Sequence, residues 1–502
     1  MPPYTSGVCF GGPQGKCWVI SKADITSLID EAEGSFRECW STLSRLRDRD
    51  RTESSKDADL SAALLDFQPT LARTLYDLSE MYRKLHQEKQ SVIARKAVLT
   101  PKWFGHRLAL LGEYQRVVKA TISIGKHLGD SFAWIFYMSS RDDLLEHGDH
   151  QRQFHAPPGI GGLGELAFIE SVRMVGGHLV LYHGITTFLR LGDVSYINLK
   201  EGNKVAAIGE LKTTKVAEGK LNVRLDAVAP GGEDMSFLAE GILYDDTQVD
   251  FSPPPLPQKM EARLGKQVAS MGTPFEFSDP EGSMELDHDP RVEELNVLCK
   301  ELKTSAFAYR KIGDGLLLFG TRTGKRSLSS KLLGGNPPGW TVRLQGFEHE
   351  AQRIMDQESS DNEIWLGALN DPNTEYQLAP GMVPLFLWPL DTVTIEDMYF
   401  QNVEIYYLYN PAHLAAKLRR AGFDVISIPG QRGFKVEKRL GDSSLKLENL
   451  RHFTHLVTHE LWDEDMVVET LNGMVRSVEH GDISPNAKIR MDIRHHSEPK
   501  PA

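Results

Sequence analysis

Residues 253–257 read PPPLP. Proline has no N–H to give a helix or a sheet ladder, and its ring clashes with the preceding turn. No helix or central strand can therefore cross Asp250–Lys259, DFSPPPLPQK. The acidic stretch DPEGSMELDHDP, Asp279–Pro290, follows closely. Together they predict a linker or surface excursion over 251–290 that separates two folded parts of the 502-residue chain.

Both parts have the composition of a globular protein, with 40% apolar and 25% charged residues. No apolar run approaches the roughly 18 residues needed to span a bilayer, so no membrane association is expected. The opening MPPYTSGVCFGGPQGK lacks the basic start and apolar block of a secretory signal. A cytoplasmic protein is the expectation. The four cysteines, Cys9, Cys17, Cys39 and Cys299, include no C-x-x-C pair. A disulfide framework or a thiolate zinc site is not expected.

The net charge of −12 argues against a nucleic-acid partner until its distribution is considered. Residues 1–150 carry 20 basic and 20 acidic side chains, and residues 151–228 carry 9 and 7. Residues 229–502 carry 28 and 42, a net −14. The acidity belongs to the back half, and local field matters more than total charge.

The front of the chain reads as helices. Leu71, Leu75, Leu78, Met81, Tyr82 and Leu85 recur at spacings of three and four. Leu108, Leu111, Tyr114, Val118 and Ile122 repeat the pattern. A charged loop is expected at Arg45–Asp59. KWFGHR, Lys102–Arg107, reads as a helix start, with nucleic-acid contact as its other reading. A helical region is thus predicted over 1–148. The breaker HAPPGIGG, His155–Gly162, opens a helix followed by short strands over 149–250. From 291 to 475 the pattern is mixed α+β, and 476–502 is a tail. Strands are expected in TVRLQG, EIWLGAL, PLFLWPL, EIYYLY and DVISIPG. A helix is expected in PAHLAAKLRRAG.

One six-residue phrase occurs twice, as GELKTT at Gly209–Thr214 and KELKTS at Lys300–Ser305. Around the second copy, Val292, Leu295, Leu298, Leu302 and Ala306 make a helical stripe, and Glu301 lies off it on a solvated face. The first copy ends the segment LRLGDVSYINLKEGNKVAAIGELKTTK, Leu189–Lys215, which reads as two strands joined by a turn at Glu201–Lys204. Strand parity puts Glu210 and Lys212 on one face. Asp193, on the preceding strand, can lie beside them. Converging carboxylates repel unless a cation neutralises them, and Mg²⁺ or Mn²⁺ prefers such oxygens. In GIGGLGELAFIESVR, Gly159–Arg173, Glu165 falls with Phe168, Ile169 and Val172 on the inward face. A glutamate there needs a partner, or it is a first-turn residue favoured by the helix dipole.

The order helix with Glu, strand, strand with Gly-Asp, strand with Glu-X-Lys resembles the core of the PD-(D/E)XK nuclease superfamily over about residues 159–228. The resemblance implies a restriction-endonuclease-like α/β core between the helical region and the C-terminal mixed α+β domain. It implies that Asp193, Glu210 and Glu165 bind Mg²⁺ or Mn²⁺ and that Lys212 assists the attacking water. It implies a metal-dependent endonuclease hydrolysing DNA or RNA, in host defence or DNA processing. Gly192 stands where the family usually has proline. After the E-X-K, TTKVAEGKLNVRLDAV reads as further strand rather than as the usual helix with Gln-x-x-x-Tyr. The alternative is a non-catalytic adaptor built on an inactive core. A homo-oligomeric or protein contact through the helical or acidic C-terminal region is expected in either case.

Other constellations are weaker. His452, His455 and His459 share a helical spacing but lack the H-E-x-x-H glutamate. GTRTGKRS, Gly320–Ser327, is one residue short of a phosphate loop and reads as a turn. GIGGLG follows no strand, so it is no dinucleotide fingerprint, and no G-x-S-x-G occurs.

Overall fold

Three long helices form the N-terminal region: α1 (Lys22–Arg49), α2 (Ala58–Ala94) and α3 (Pro101–Tyr137). The computed structural model describes residues 19–49, 58–137, 147, 154–175, 177–199, 204–217, 220–228, 291–334, 345–355, 364–370, 372, 384–388, 390–427, 434–440, 443–447 and 456–480. The predicted leucine stripes are buried: Leu71, Leu75, Leu78 and Leu85 on α2, and Leu111, Tyr114, Val118 and Ile122 on α3. From Val117 onward α3 is buried almost all round, including Thr121, Ser123, Lys126, Asp130 and Ser131. A helix buried on every side has neighbours on every side. Of the charged stretch Arg45–Asp59, residues 45–49 are helix in α1 and 58–59 helix in α2, and 50–57 lie outside the described residues.

Helix α4 (Gly159–Ser171) leads into a five-stranded antiparallel sheet. Its strands β1 (Met174–Val175), β2 (His178–Tyr182), β3 (Val194–Asn198), β4 (Lys204–Ala217) and β5 (Lys220–Val228) lie in chain order. The segment after Glu-X-Lys is strand, as its pattern predicts. Short β1 leaves part of the β2 edge open, and α2 covers it. The Gln68 amide accepts from Tyr182 N–H at 2.8 Å and donates to Val180 O at 2.7 Å, as a neighbouring strand would.

The region after 290 contributes α5 (Val292–Leu302), β6 (Phe307–Lys311), β7 (Leu316–Arg322), α6 (Leu328–Leu333) and α7 (Gln345–Met355). Then come β8 (Trp365–Ala368), α8 (Thr392–Tyr399), β9 (Val403–Tyr409) and α9 (Ala412–Arg420). Last are β10 (Asp424–Ser427), β11 (Phe434–Leu440), β12 (Ser443–Leu447) and α10 (Glu464–His480). Two antiparallel sheets result, ordered β6-β7-β9-β8 and β10-β11-β12. Pro411 caps α9, and Gly422, at φ 82°, ends it. Among the described residues, no helix is long and apolar enough to cross a membrane.

Two expected strands differ. Within PLFLWPL, Leu385–Leu387 forms a 3-10 turn. Its carbonyls do not enter a sheet: the Arg47 guanidinium of α1 takes those of Phe386, Trp388 (2.7 Å) and Leu390 (2.5 Å). In TVRLQG, Gln345 and Gly346 begin α7, and residues 341–344 lie outside the described ones, as does the proline-rich segment. The three helices hold the two halves together in one buried apolar cluster that runs from Ile20 to Val475. Glu33 of α1 accepts from Leu328 N at 2.6 Å, and Asp30 accepts from Ser329 Oγ at 2.5 Å.

The C-terminal half has a buried anchor of its own. Glu464, 0% exposed, accepts from Asp314 N (3.0 Å) and Gly315 N (2.6 Å). Lys417 Nζ lies 3.7 Å from it and 3.0 Å from Asp314. Glu464→Ala leaves two turn N–H groups and a largely buried ammonium without this partner. It is expected to destabilise the protein by about 3 kcal/mol in denaturant titrations. A change within experimental error would show the turn to be held without it.

Candidate active site at the end of strand β3

The geometry starts with glycines. Gly164 of α4 lies so close to β4 that a Cβ there would sit 1.9 Å from Thr213 Oγ1. The helix therefore lies flush on the face that carries Leu211 and Thr213. Gly192 has φ +70°, and a Cβ there would meet Ile208 Cγ2 at 2.6 Å and Gly209 O at 2.8 Å. Proline, locked near φ −65°, cannot adopt that conformation. The chain turns sharply into β3 here.

Asp193 follows that turn. Its N–H donates to Gly209 O at 2.8 Å, and its own carbonyl accepts from His183 N at 2.8 Å. The ladder begins with Val194 paired to Gly209, and Asp193 just precedes it, bonded to the same Gly209. Beyond it β3 ends, and the Asp193 carboxylate accepts from Leu211 N at 2.7 Å, capping β4 where its partner strand is missing. Glu210 is ion-paired with Lys212, two residues on and on the same strand face. These two point away from α4, since Leu211 and Thr213 face it. On β5, Asp226 and Arg224 are the register partners of Glu210 and Lys212.

Glu165 approaches from the α4 side. It is buried, 9% exposed, and accepts a hydrogen bond from the Tyr182 hydroxyl. Burial, and then the charge of Asp193, push its carboxyl up to about 7, against the hydrogen bond from Tyr182 and the charges of Lys126 and Lys212. Half of it is protonated near neutral pH. Burial and the adjacent Glu165 raise the Tyr182 phenol well above its usual range. Glu165 thus feels the charges of Asp193 and Lys212, although Glu165 and Glu210 arrive from opposite faces of the sheet. Among the described residues, no three His, Cys, Asp or Glu side chains are grouped closely enough to hold a metal ion. Asp193 and Glu210 offer the hard carboxylate oxygens that Mg²⁺ or Mn²⁺ prefers, as a pair rather than as a preformed triad.

Four neighbours of this site carry no motif. Lys126, 2% exposed, comes from α3. His183 Nδ1 meets Gly192 O at 3.2 Å and its Nε2 meets Ser195 Oγ at 2.6 Å, with Tyr137 Oη 2.7 Å from the same Oγ. Burial lowers the His183 imidazole to about 4, so it is neutral. Donation from Nδ1 to Gly192 O leaves Nε2 to accept from Ser195. His183 thereby grips the Gly192–Asp193 turn through ring and backbone. A single His and a single Ser in a strand pattern give no sequence signal, because their partners are set by tertiary contact.

Elsewhere, Glu301 lies near the end of α5, half-exposed and paired with Arg310. His459 contacts Thr458 and the Tyr407 ring, while His452 and His455 lie outside the described residues. Residues 323–327 join β7 to α6 as a turn, with Ser327 capping α6 at Ser330 N. Cys39 and Cys299 are buried free thiols. Comparison of the chain with protein-family models, with curated proteins and with solved structures finds no match.

Proposed function

We propose that residues 159–228 are a PD-(D/E)XK-type core and that the chain is a metal-dependent nuclease acting on the phosphodiester bonds of DNA or RNA. The observation that carries this is that Asp193 is bound to the β4 backbone on either side of Glu210, donating its N–H to Gly209 O and accepting from Leu211 N–H on its carboxylate. The element order α4-β2-β3-β4 agrees with it, and so does the charge coupling of Glu165 to Asp193 and Lys212.

Asp193 and Glu210 would hold a Mg²⁺ or Mn²⁺ ion, and Glu165, on the other face of the sheet, is coupled to Asp193 by charge. Such an ion supplies Lewis-acid polarisation of a phosphoryl oxygen and a more acidic bound water. The chain's own residues do the rest. Lys212 presents a positive charge to the phosphate as negative charge grows on its oxygens. Glu165, titrating near neutrality, can take or return a proton. His183 and Ser195 keep the Asp193 turn in register.

A second reading has its own observation. Each carboxylate already has a partner inside the chain: Leu211 N–H for Asp193, Lys212 for Glu210 and Tyr182 for Glu165. That suits a non-catalytic adaptor. Incubation with plasmid and with single-stranded DNA and RNA, in Mg²⁺ and in EDTA, separates the two. Cleavage in Mg²⁺ that EDTA stops supports the nuclease, and intact substrate in every condition supports the adaptor.

Lys212→Ala should slow cleavage while leaving the half-saturating Mg²⁺ concentration nearly unchanged, since an ammonium is no ligand. A large rise in the Mg²⁺ requirement would instead make Lys212 part of the architecture that orders Glu210.

A further inference from the structure

The helical hairpin ends in a surface unlike the rest of this acidic protein. From Lys89 to Gly112 there is no Asp or Glu, while five of these residues are Lys or Arg. Arg107 is occupied internally by Glu88, and Lys89 by Gln115. Arg95, Lys96 and Lys102 remain on the exposed tip between α2 and α3. Interleaved with them are large apolar side chains in water: Ile93 at 43%, Val98 at 81% and Trp103 at 46% exposure. Exposed apolar groups set among cations, in a chain of net charge −12, are not what solubility requires.

From this surface we infer that the α2–α3 tip is an anchoring site for single-stranded nucleic acid. Three cations track phosphates, and the Trp103 indole offers a stacking face that any base can use. The proposal rests on the nuclease reading for its choice of nucleic acid among polyanions. The fold places the tip along α3 from the segment His183–Ile185, whose His183 holds the Gly192–Asp193 turn. Helix α3 is one continuous helix, and at Gly129 it lies directly against Ile185 O, where a Cβ would sit 2.0 Å away. Twenty-six residues at about 1.5 Å each put Trp103 roughly 40 Å from that contact along the helix. At about 3.4 Å per stacked nucleotide, a strand touching both needs roughly a dozen nucleotides. The tip thus makes affinity depend on substrate length.

The test is fluorescence anisotropy in EDTA, with a labelled 30-nucleotide single strand and a 6-nucleotide one. Wild type is compared with Trp103→Ala and with Arg95→Glu/Lys96→Glu/Lys102→Glu, after matching melting temperatures show all three to be folded. We expect the 30-mer to bind wild type at least tenfold more tightly than the triple variant. We expect roughly fivefold weakening in Trp103→Ala, and weaker binding of the 6-mer than of the 30-mer by wild type, since a 6-mer cannot reach both ends of α3. Equal binding of the 30-mer by folded variants, or no binding by wild type, overturns the proposal. So does variant-sensitive binding to phosphatidylserine vesicles with variant-insensitive binding to the 30-mer, which would make the tip a membrane contact. Tip-dependent binding without any Mg²⁺-dependent cleavage leaves the tip in place and removes the nuclease reading. Cleavage with tip-independent binding does the reverse.

Discussion

Glu210→Ala is expected to lower Mg²⁺-dependent cleavage by about a hundred- to a thousandfold, the scale seen when one preorganised charge-stabilising group is lost from an active site. Glu301→Ala, in the echoed motif, should leave it unchanged. Both residues occupy the same Glu-X-Lys-Thr phrase, so the comparison isolates position from composition. Glu210 lies on β4 between the two backbone groups that Asp193 binds, whereas Glu301 lies half-exposed on α5 beside Arg310. The two changes should have similar, small effects on stability. Glu210 leaves behind Lys212, a third of whose side chain is exposed and can be solvated. A pair that wet contributes at most about 1 kcal/mol, and Glu301→Ala should stay within about 0.5 kcal/mol. A cleavage time course beside melting curves decides the matter. Equal rates in the two variants would make GELKTT an ordinary strand and sink the nuclease reading.

Glu165→Gln in EDTA is expected to stabilise the protein above neutral pH and to have little effect in acid. The folded carboxyl sits at about 7, against an unperturbed value of 4.5, because burial and Asp193 disfavour its charge. Between these values the folded state holds the proton and the unfolded state does not, so stability falls as pH rises. The neutral carboxyl contributes its full share below pH 4.5, and that share is lost as pH climbs through 7. The loss amounts to about 3 kcal/mol by linkage. Glutamine cannot ionise but can still accept from Tyr182, so the variant should lack this loss. Denaturant midpoints of both proteins from pH 4 to 9 test it. Parallel curves at every pH would mean that Glu165 is ionised in the fold. Saturating Mg²⁺ should flatten the wild-type curve, because a bound cation favours the charged carboxylate.

What could be read from the sequence was whatever depends on near neighbours along the chain. The leucine stripes of α2 and α3 declare helices, because three- and four-residue spacings repeat on one face. The alternation over Val194–Ala217 declares paired strands, and with it the shared face of Glu210 and Lys212. The two copies of the echo could be told apart for the same reason, since one keeps period two and the other the helical period. PLFLWPL misled because its strand-like residues have their carbonyls taken by Arg47, more than 300 positions away.

Nothing in the sequence could say how α4 and β4 meet. Gly164 against Thr213 puts Glu165 on the face opposite Glu210, where it takes the Tyr182 hydroxyl as its partner. Lys126, His183 and Ser195 join the site from a helix, a turn and a strand whose local patterns are those of ordinary core residues. Periodicity determines which side of an element faces inward. Which charges then become neighbours is settled by burial, which desolvates them and makes each one's ionisation depend on the others.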